Sequence, residues 1–274
     1  MSDYTTLSIE RHGHRAEVIL DRAHKLNAIN RAMFADLRRA FEALDADPDV
    51  WVVVLRGNGR MFTAGLDLID AMNLLQGPGD PNASQAVRSE HLYRVIKDLQ
   101  ASVNAIANCR KPTIAAVHGR CIGGGVDIVT ACDIRVASAD VAFSVFETRI
   151  AIVADVGTLQ RLTPIVGKGM AREMAFTGAN VGADRALRTG LVNDVFDDAD
   201  ALLAGARALA DSIAANSPIA VQGTKRVMDY SDAHGVEAGL EFVAHWNTAR
   251  LQSNDLAEAL TAFLEKRDGV YTGA

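Results

Sequence analysis

Apolar residues change their period along the chain. Near the N-terminus they alternate, first at Leu7 and Ile9 and then through Ala16 to Leu20, which predicts short strands. Between Asn30 and Leu44 the spacing becomes three and four: Ala32, Met33, Leu37, Ala40, Phe41 and Leu44 share a face, which predicts a helix capped by Asn30. Asp47-Pro48-Asp49 breaks that pattern. Val50 to Leu55 and Thr113 to Val117 are continuous apolar runs, as in strands buried on both faces of a parallel sheet. Each run leads into a glycine-bearing loop, Gly57 to Gly65 and Gly119 to Gly125, an order that builds ligand sites in α/β proteins. Ile134-Arg135-Val136 and Phe143 to Phe146 predict further strands. Gly77-Pro78-Gly79-Asp80-Pro81-Asn82 is the strongest loop signal, expected at the surface and mobile. From Ala199 the pattern is helical almost to the end, punctuated by Pro218, with Phe263-Leu264-Glu265-Lys266 in the last helix. The organisation expected is a core over residues 1–200 and a helical part over 201–274, without repeats or low-complexity tracts.

Composition narrows the function classes. The chain has 274 residues, 49% of them hydrophobic and 23% charged, enough for a sizeable core. A net charge of −6 speaks against nucleic-acid or anionic-membrane partners, although local backbone amides can still hold an anion. No apolar run reaches the roughly 20 residues of a membrane helix. Met-Ser-Asp-Tyr-Thr-Thr at the start carries no apolar signal segment, and Tyr-Thr-Gly-Ala at the end is no retention or peroxisomal address. Cys109, Cys121 and Cys132 are odd in number and form no C-x-x-C pair, so a reducing, cytoplasmic setting is expected and no metal centre is. His118 and Cys121 read as packing groups, Trp51 and Trp246 as core or subunit contacts, and Lys225-Arg226 as a solvated helix face.

The densest glycine cluster, Gly119-Arg120-Cys121-Ile122-Gly123-Gly124-Gly125-Val126-Asp127, has no Gly-Lys-Ser/Thr and so is no phosphate loop. A helix starting near Gly124 would aim free N–H groups outward, where they can stabilise an oxyanion. Leu66, in Gly59-Arg60-Met61-Phe62-Thr63-Ala64-Gly65-Leu66-Asp67, could supply a second donor. Each loop alone would equally suit an ordinary strand-to-helix turn.

Several stretches, in this order, resemble the crotonase (enoyl-CoA hydratase/isomerase) superfamily. They are Asn27-Ala28-Ile29-Asn30, Met61 to Asp67, Lys111-Pro112-Thr113 through Gly119, Gly123 to Asp127, Ala131-Cys132-Asp133-Ile134-Arg135, Gln160-Arg161-Leu162 and Phe263 to Lys266. The resemblance covers about residues 7–268. It implies an α/β fold, a ClpP-like spiral of ββα repeats in two stacked sheets with a C-terminal helical trimerisation region, assembled as a homotrimer or a hexamer. It implies an acyl-CoA thioester substrate, with coenzyme A part of that substrate and no other cofactor. Its oxyanion would be held by the amides of Leu66 and Gly124. CoA contacts are implied at Ala64, Asp67 and Leu68, and at Phe263 and Lys266 from the C-terminal helix, usually of a neighbouring subunit.

Three carboxylates point to a subfamily. Asp127 closes the glycine loop, Glu147 follows the Phe143 to Phe146 strand, and Asp155 lies in Ala154-Asp155-Val156-Gly157, at the expected start of a helix. Hydratases of the superfamily resemble the chain at the first two positions but carry two glutamates there, and usually have Pro-Gly in place of Ala154-Asp155. The pattern here is closer to Δ3,5-Δ2,4-dienoyl-CoA isomerases, in which the three acids line the pocket. Taken alone, Asp155 would suit a helix cap, Asp127 a first-turn residue and Glu147 a solvated strand end. Moving a diene from the 3,5 to the 2,4 position removes a proton at C2 and delivers one at C6, which suits Glu147 as base, Asp155 as acid and Asp127 as the group that tunes them. Direct hydration would use the 127/147 pair alone, and a non-catalytic binding member would use none of the acids. The family usually has glycine where this chain has Ala151, and Arg149 stands between the acids as a possible charge partner. Phe62, Leu74 and Leu75 are candidates for the acyl tunnel.

Overall fold

The computed structural model describes residues 4–75 and 82–274. Of the loop expected over Gly77 to Asn82, all but Asn82 lies outside them, as do the side chains of Leu74 and Leu75.

Among the described residues the strands form two sheets. The larger follows the order β1 (Leu7–His12), β2 (Arg15–Leu20), β3 (Val52–Gly57), β4 (Thr113–Val117), β6 (Ile134–Ser138), β9 (Asp194–Phe196). Only its first pair is antiparallel; from β2 onward the pairing is parallel. The smaller sheet joins β5 (Arg120–Ile122), β7 (Ala142–Ser144) and β8 (Val181–Gly182).

The valine-rich run behaves as its composition dictates. Side chains alternate across a strand, so Val53 and Leu55 enter the main core with Leu37, Phe41 and Ile106. Val52 and Val54 face the other way, against Ile114, Ala116 and the Leu202, Ala206 and Ala210 stripe of the Ala199–Ala214 helix. That helix packs on the sheet, so the sheet draws its cover from both sides of position 200. The Arg31–Ala46 helix starts as expected, Asn30 accepting from the Met33 amide at 3.0 Å, and ends before Pro48. Phe41 is fully buried on its inner face, and truncating it to alanine would cost about 3–5 kcal/mol.

Two expectations shift. The strand foreseen over Phe143 to Phe146 stops at Ser144, because Phe146 has turned to φ −88°, ψ −11° and a 3₁₀ turn, Glu147–Ile150, follows. Lys225 is not solvated: its side chain is 10% exposed and its ammonium binds Asp133 at 2.7 Å and the Lys111 carbonyl at 3.3 Å. After the Ala199–Ala214 helix, the helices Pro218–His234, Val236–Arg250 and Asn254–Glu265 make up the C-terminal part. No helix of the described residues is long and apolar enough to cross a membrane.

Candidate active site

The loops that leave β3 and β4 meet at the carboxyl ends of these strands, where open α/β sheets place ligands. Thr63 and Cys121 form a parallel bridge, as do Ile29 and Leu66, so the two glycine loops and the segment before the first long helix are tied together. Gly65, at φ +90°, passes so close to the second loop that a β-carbon would stand 2.8 Å from the Ile122 carbonyl oxygen. No other residue fits that approach.

A cavity of about 930 Å³ opens beside these loops. Its wall includes Ala64, Gly65 and Leu66 from the first loop, Leu68 at the start of the Leu68–Leu75 helix, and Gly123, Gly124 and Asp127 from the second loop and the helix it opens. Glu147, Asp155 and the apolar Phe34, Leu99 and Val156 complete it. Among the described residues, neither the Leu66 nor the Gly124 amide donates a hydrogen bond within the chain. Gly124 opens the Gly124–Thr130 helix, as the sequence predicts, so its N–H is one of the unsatisfied donors of a helix start.

The three acids reach the cavity from separate elements. Asp127 sits in the first turn of the Gly124–Thr130 helix and is 1% exposed. Its Oδ1 accepts from the Thr158 amide at 2.6 Å, so it caps the next helix, Thr158–Val166, across the fold. Burial pushes its pKa up to about 6, against the hydrogen bonding of Thr158 and with the added repulsion of Asp155. Glu147 opens the 3₁₀ turn after β7, and a β-carbon at Gly123 would lie 3.2 Å from its Oε1, beside the Gly124 amide. Its Oε2 is buried without a partner. Burial, together with the charges of Asp127 and Asp155, lifts its pKa to about 7.

Asp155 is not at a helix start. The helix begins at Thr158 with Gly157 as its cap residue, so the capping role open to Asp155 in the sequence is filled otherwise. Its backbone carbonyl accepts from Gln100 Nε2 at 2.7 Å, which fixes the loop, and its side chain lines the solvent-open side of the cavity with a pKa raised by partial burial.

Other candidates lie elsewhere. Arg149 borders the cavity but turns its Nε to the Thr177 carbonyl at 3.1 Å and stacks near Phe146, so it is no charge partner for Glu147. Asp67 is paired with Arg22 at 3.1 Å, outside the cavity wall. Phe263 is 81% exposed on the last helix, and Lys266 ends that helix in a left-handed conformation. Phe62 is fully buried in the main core and is not part of the cavity wall. Ala151 has φ +59°, which explains why a glycine suits this turn. His118 packs at the end of β4, its Nε2 2.8 Å from the Gly59 carbonyl. Among the described residues no three or more His, Cys, Asp or Glu side chains are grouped as a metal site.

The arrangement can polarise a carbonyl oxygen with two amides and exchange protons with carbon atoms nearby. The sequence matches the enoyl-CoA hydratase/isomerase family over residues 11–274. It is 43% identical to the mitochondrial Delta(3,5)-Delta(2,4)-dienoyl-CoA isomerase of Dictyostelium discoideum, over 99% of this chain and 92% of that protein. It is 44% identical to the peroxisomal Delta(3,5)-Delta(2,4)-dienoyl-CoA isomerase of Arabidopsis thaliana, over 97% of each. A crystal structure of enoyl-CoA hydratase from Bacillus anthracis superposes with a TM-score of 0.89 at 27% identity, covering 98% of this chain and 100% of that one.

Proposed function

Since the chain belongs to the enoyl-CoA hydratase/isomerase family, we propose that it isomerises 3,5-dienoyl-CoA to 2,4-dienoyl-CoA in fatty acid β-oxidation. The observation that carries this reading is Asp155: it lines the same cavity as Asp127 and Glu147, and its charge acts on both. A hydratase reading leaves that third acid idle. The likeness to dienoyl-CoA isomerases over nearly the whole chain supports the same choice.

In the proposed mechanism the thioester oxygen accepts from the Leu66 and Gly124 amides. These donors are worth most as charge moves onto that oxygen, so they favour the enolate over the substrate. Glu147, with a pKa near the working pH, takes the C2 proton. The electron pair shifts through the conjugated system, and Asp155 gives a proton to C6. Two carboxylates suit this chemistry because the proton leaves C2 and arrives at the distant C6. Asp127 remains ionised and repels a second charge, so one proton stays shared between Glu147 and Asp155. No cofactor beyond the CoA of the substrate enters these steps.

Ala64 and Leu68 on the cavity wall, with Asp67 just behind them, are assigned to the CoA end. Phe263 and Lys266 are assigned to CoA contacts across a subunit boundary. Exposed Met228, Val236, Leu240, Leu260 and Leu264 support a homotrimer or a dimer of trimers built through 201–274. The free thiols of Cys109, Cys121 and Cys132 support a reducing compartment, and we place the protein in the cytoplasm; the two isomerases above are mitochondrial and peroxisomal. Turnover of a panel of 3,5-dienoyl-CoA and trans-2-enoyl-CoA thioesters, followed by ultraviolet absorbance, tests the reading. Diene conjugation should dominate; hydration of crotonyl-CoA with no diene conversion would replace it by the hydratase assignment.

A further inference from the structure

Arg161 is placed where a cation is poorly accommodated. It lies one turn into the Thr158–Val166 helix, yet its guanidinium folds back over the helix start. There the backbone presents the positive end of its dipole, which repels cations. A β-carbon at Gly157 would stand 1.9 Å from Nη1, so this position of the side chain depends on the absence of any side chain at 157, whose φ is +132°. Nη2 donates to Asn104 Oδ1 at 2.5 Å, which anchors the group to the Gln85–Ala107 helix. Nη1 is buried and has no hydrogen-bond partner. Helix dipole, burial and an unpaired donor all oppose this placement.

What favours it is a negative charge at the same helix end. Asp127 Oδ1 accepts from the first amide of that helix, so its charge stands at the same helix end as the guanidinium and opposes the burial that lowers the Arg161 pKa. We propose that Arg161 is a positioning residue for the reaction: the counter-charge, locked between Asn104 and Gly157, that holds Asp127 in its ionised form. This rests on the isomerase reading for its consequence. An ionised Asp127 is what keeps one proton on Glu147 and Asp155 together rather than spread over three acids. The titratable and charged groups that bear on Asp127 are Asp155 and Arg161 directly, with Glu147 across the cavity and the buried Cys121 thiol behind it. From the Gln85–Ala107 helix the groups reaching this corner are the neutral Gln100 and Asn104.

The test uses the full-length protein with Arg161→Gln, Arg161→Lys and Asn104→Ala. One readout is the pH dependence of kcat/KM on a 3,5-dienoyl-CoA. The other is the ¹³C NMR titration of protein labelled at the aspartate carboxyl carbon, with Asp127 assigned by its loss in Asp127→Asn. In Arg161→Gln the Asp127 signal should titrate about one pH unit higher and the acid limb of the rate profile should move the same way, since the cation that opposed protonation is gone. Turnover should fall about tenfold or more with KM changed less than about threefold. Arg161→Lys should restore most of both, and Asn104→Ala, which frees the guanidinium without removing its charge, should shift the signal by about half a unit. An Asp127 titration unmoved in Arg161→Gln, or moved equally by Arg161→Lys, overturns the proposal. Should Arg161→Gln fail to fold, an unmoved signal in Asn104→Ala overturns it as well. The NMR titration needs no turnover, so a chain that converts no diene would sink the isomerase reading while this question is still decided.

Discussion

Two glutamates withdrawn from solvent, one wholly and one in part, meet opposite fates. Glu17, in β2, is 0% exposed and surrounded by arginines: Arg207 Nε at 2.7 Å, Arg56 Nε at 3.0 Å and Arg15 Nε at 3.3 Å. Burial pushes its pKa up, but the hydrogen bonds and charges of Arg207 and Arg56 outweigh that, and the carboxyl ends below its ordinary value. Glu147 is half-buried on the cavity wall with one buried oxygen unpartnered and the charges of Asp127 and Asp155 acting on it, and its pKa rises to about 7. A carboxylate that serves the fold is neutralised by its neighbours. One left unneutralised costs stability, and the fold keeps it where it can exchange a proton near neutral pH.

Substituting each glutamate in turn separates the two roles. Glu147→Gln should lower diene isomerisation by ~10³–10⁴-fold with an intact fold, measured by steady-state kinetics and circular dichroism. Asp155→Asn should cost ~10²–10³-fold, and near-parental turnover in both variants would remove the assigned roles. Glu17→Gln should reverse the pattern: on the order of 3 kcal/mol less stable in urea unfolding because its arginines lose their anion, with turnover per folded molecule unchanged.

Linkage gives the next effect. The Glu147 pKa is raised in the folded state, so the stability it contributes is present at low pH and is lost as pH rises from its unfolded value, 4.5, to about 7. Glu147→Gln escapes that loss and should gain about 2 kcal/mol relative to the parent between pH 5 and pH 8. A melting-temperature difference that does not grow with pH would contradict the unpaired-carboxylate account. The smallest effect is Ala151→Gly, which relieves a left-handed alanine and should change stability by about 1 kcal/mol at most, with turnover nearly unchanged.

The features legible in the sequence are those written in local periods. The two-face burial of Val52 to Leu55, the Asn30 cap and the helix start at Gly124 all follow from runs of a few residues. The three acids stand out as a set only through the family resemblance; spacing alone suits Asp155 to a helix cap. The contacts that tune them join distant segments: Asp127 caps a helix that begins at Thr158, and Arg161 reaches Asn104. No local pattern marks such a pair, and a glycine with an arginine in the following turn is too common to be a signal. The burial of Phe62 and Lys225 is illegible for the same reason, since loop and helix residues take their burial from whichever element folds over them.

The central claim is that two separate carboxylates move protons at the two ends of a diene beside an amide-held thioester. Turnover of a 3,5-dienoyl-CoA in D₂O, with deuterium located in the product by NMR, tests it most directly. The account predicts a 2,4-dienoyl-CoA carrying solvent deuterium at C6, with that incorporation lost in Asp155→Asn. A product deuterated at C6 equally fast without the Asp155 carboxylate, or no 2,4-diene at all, would contradict it.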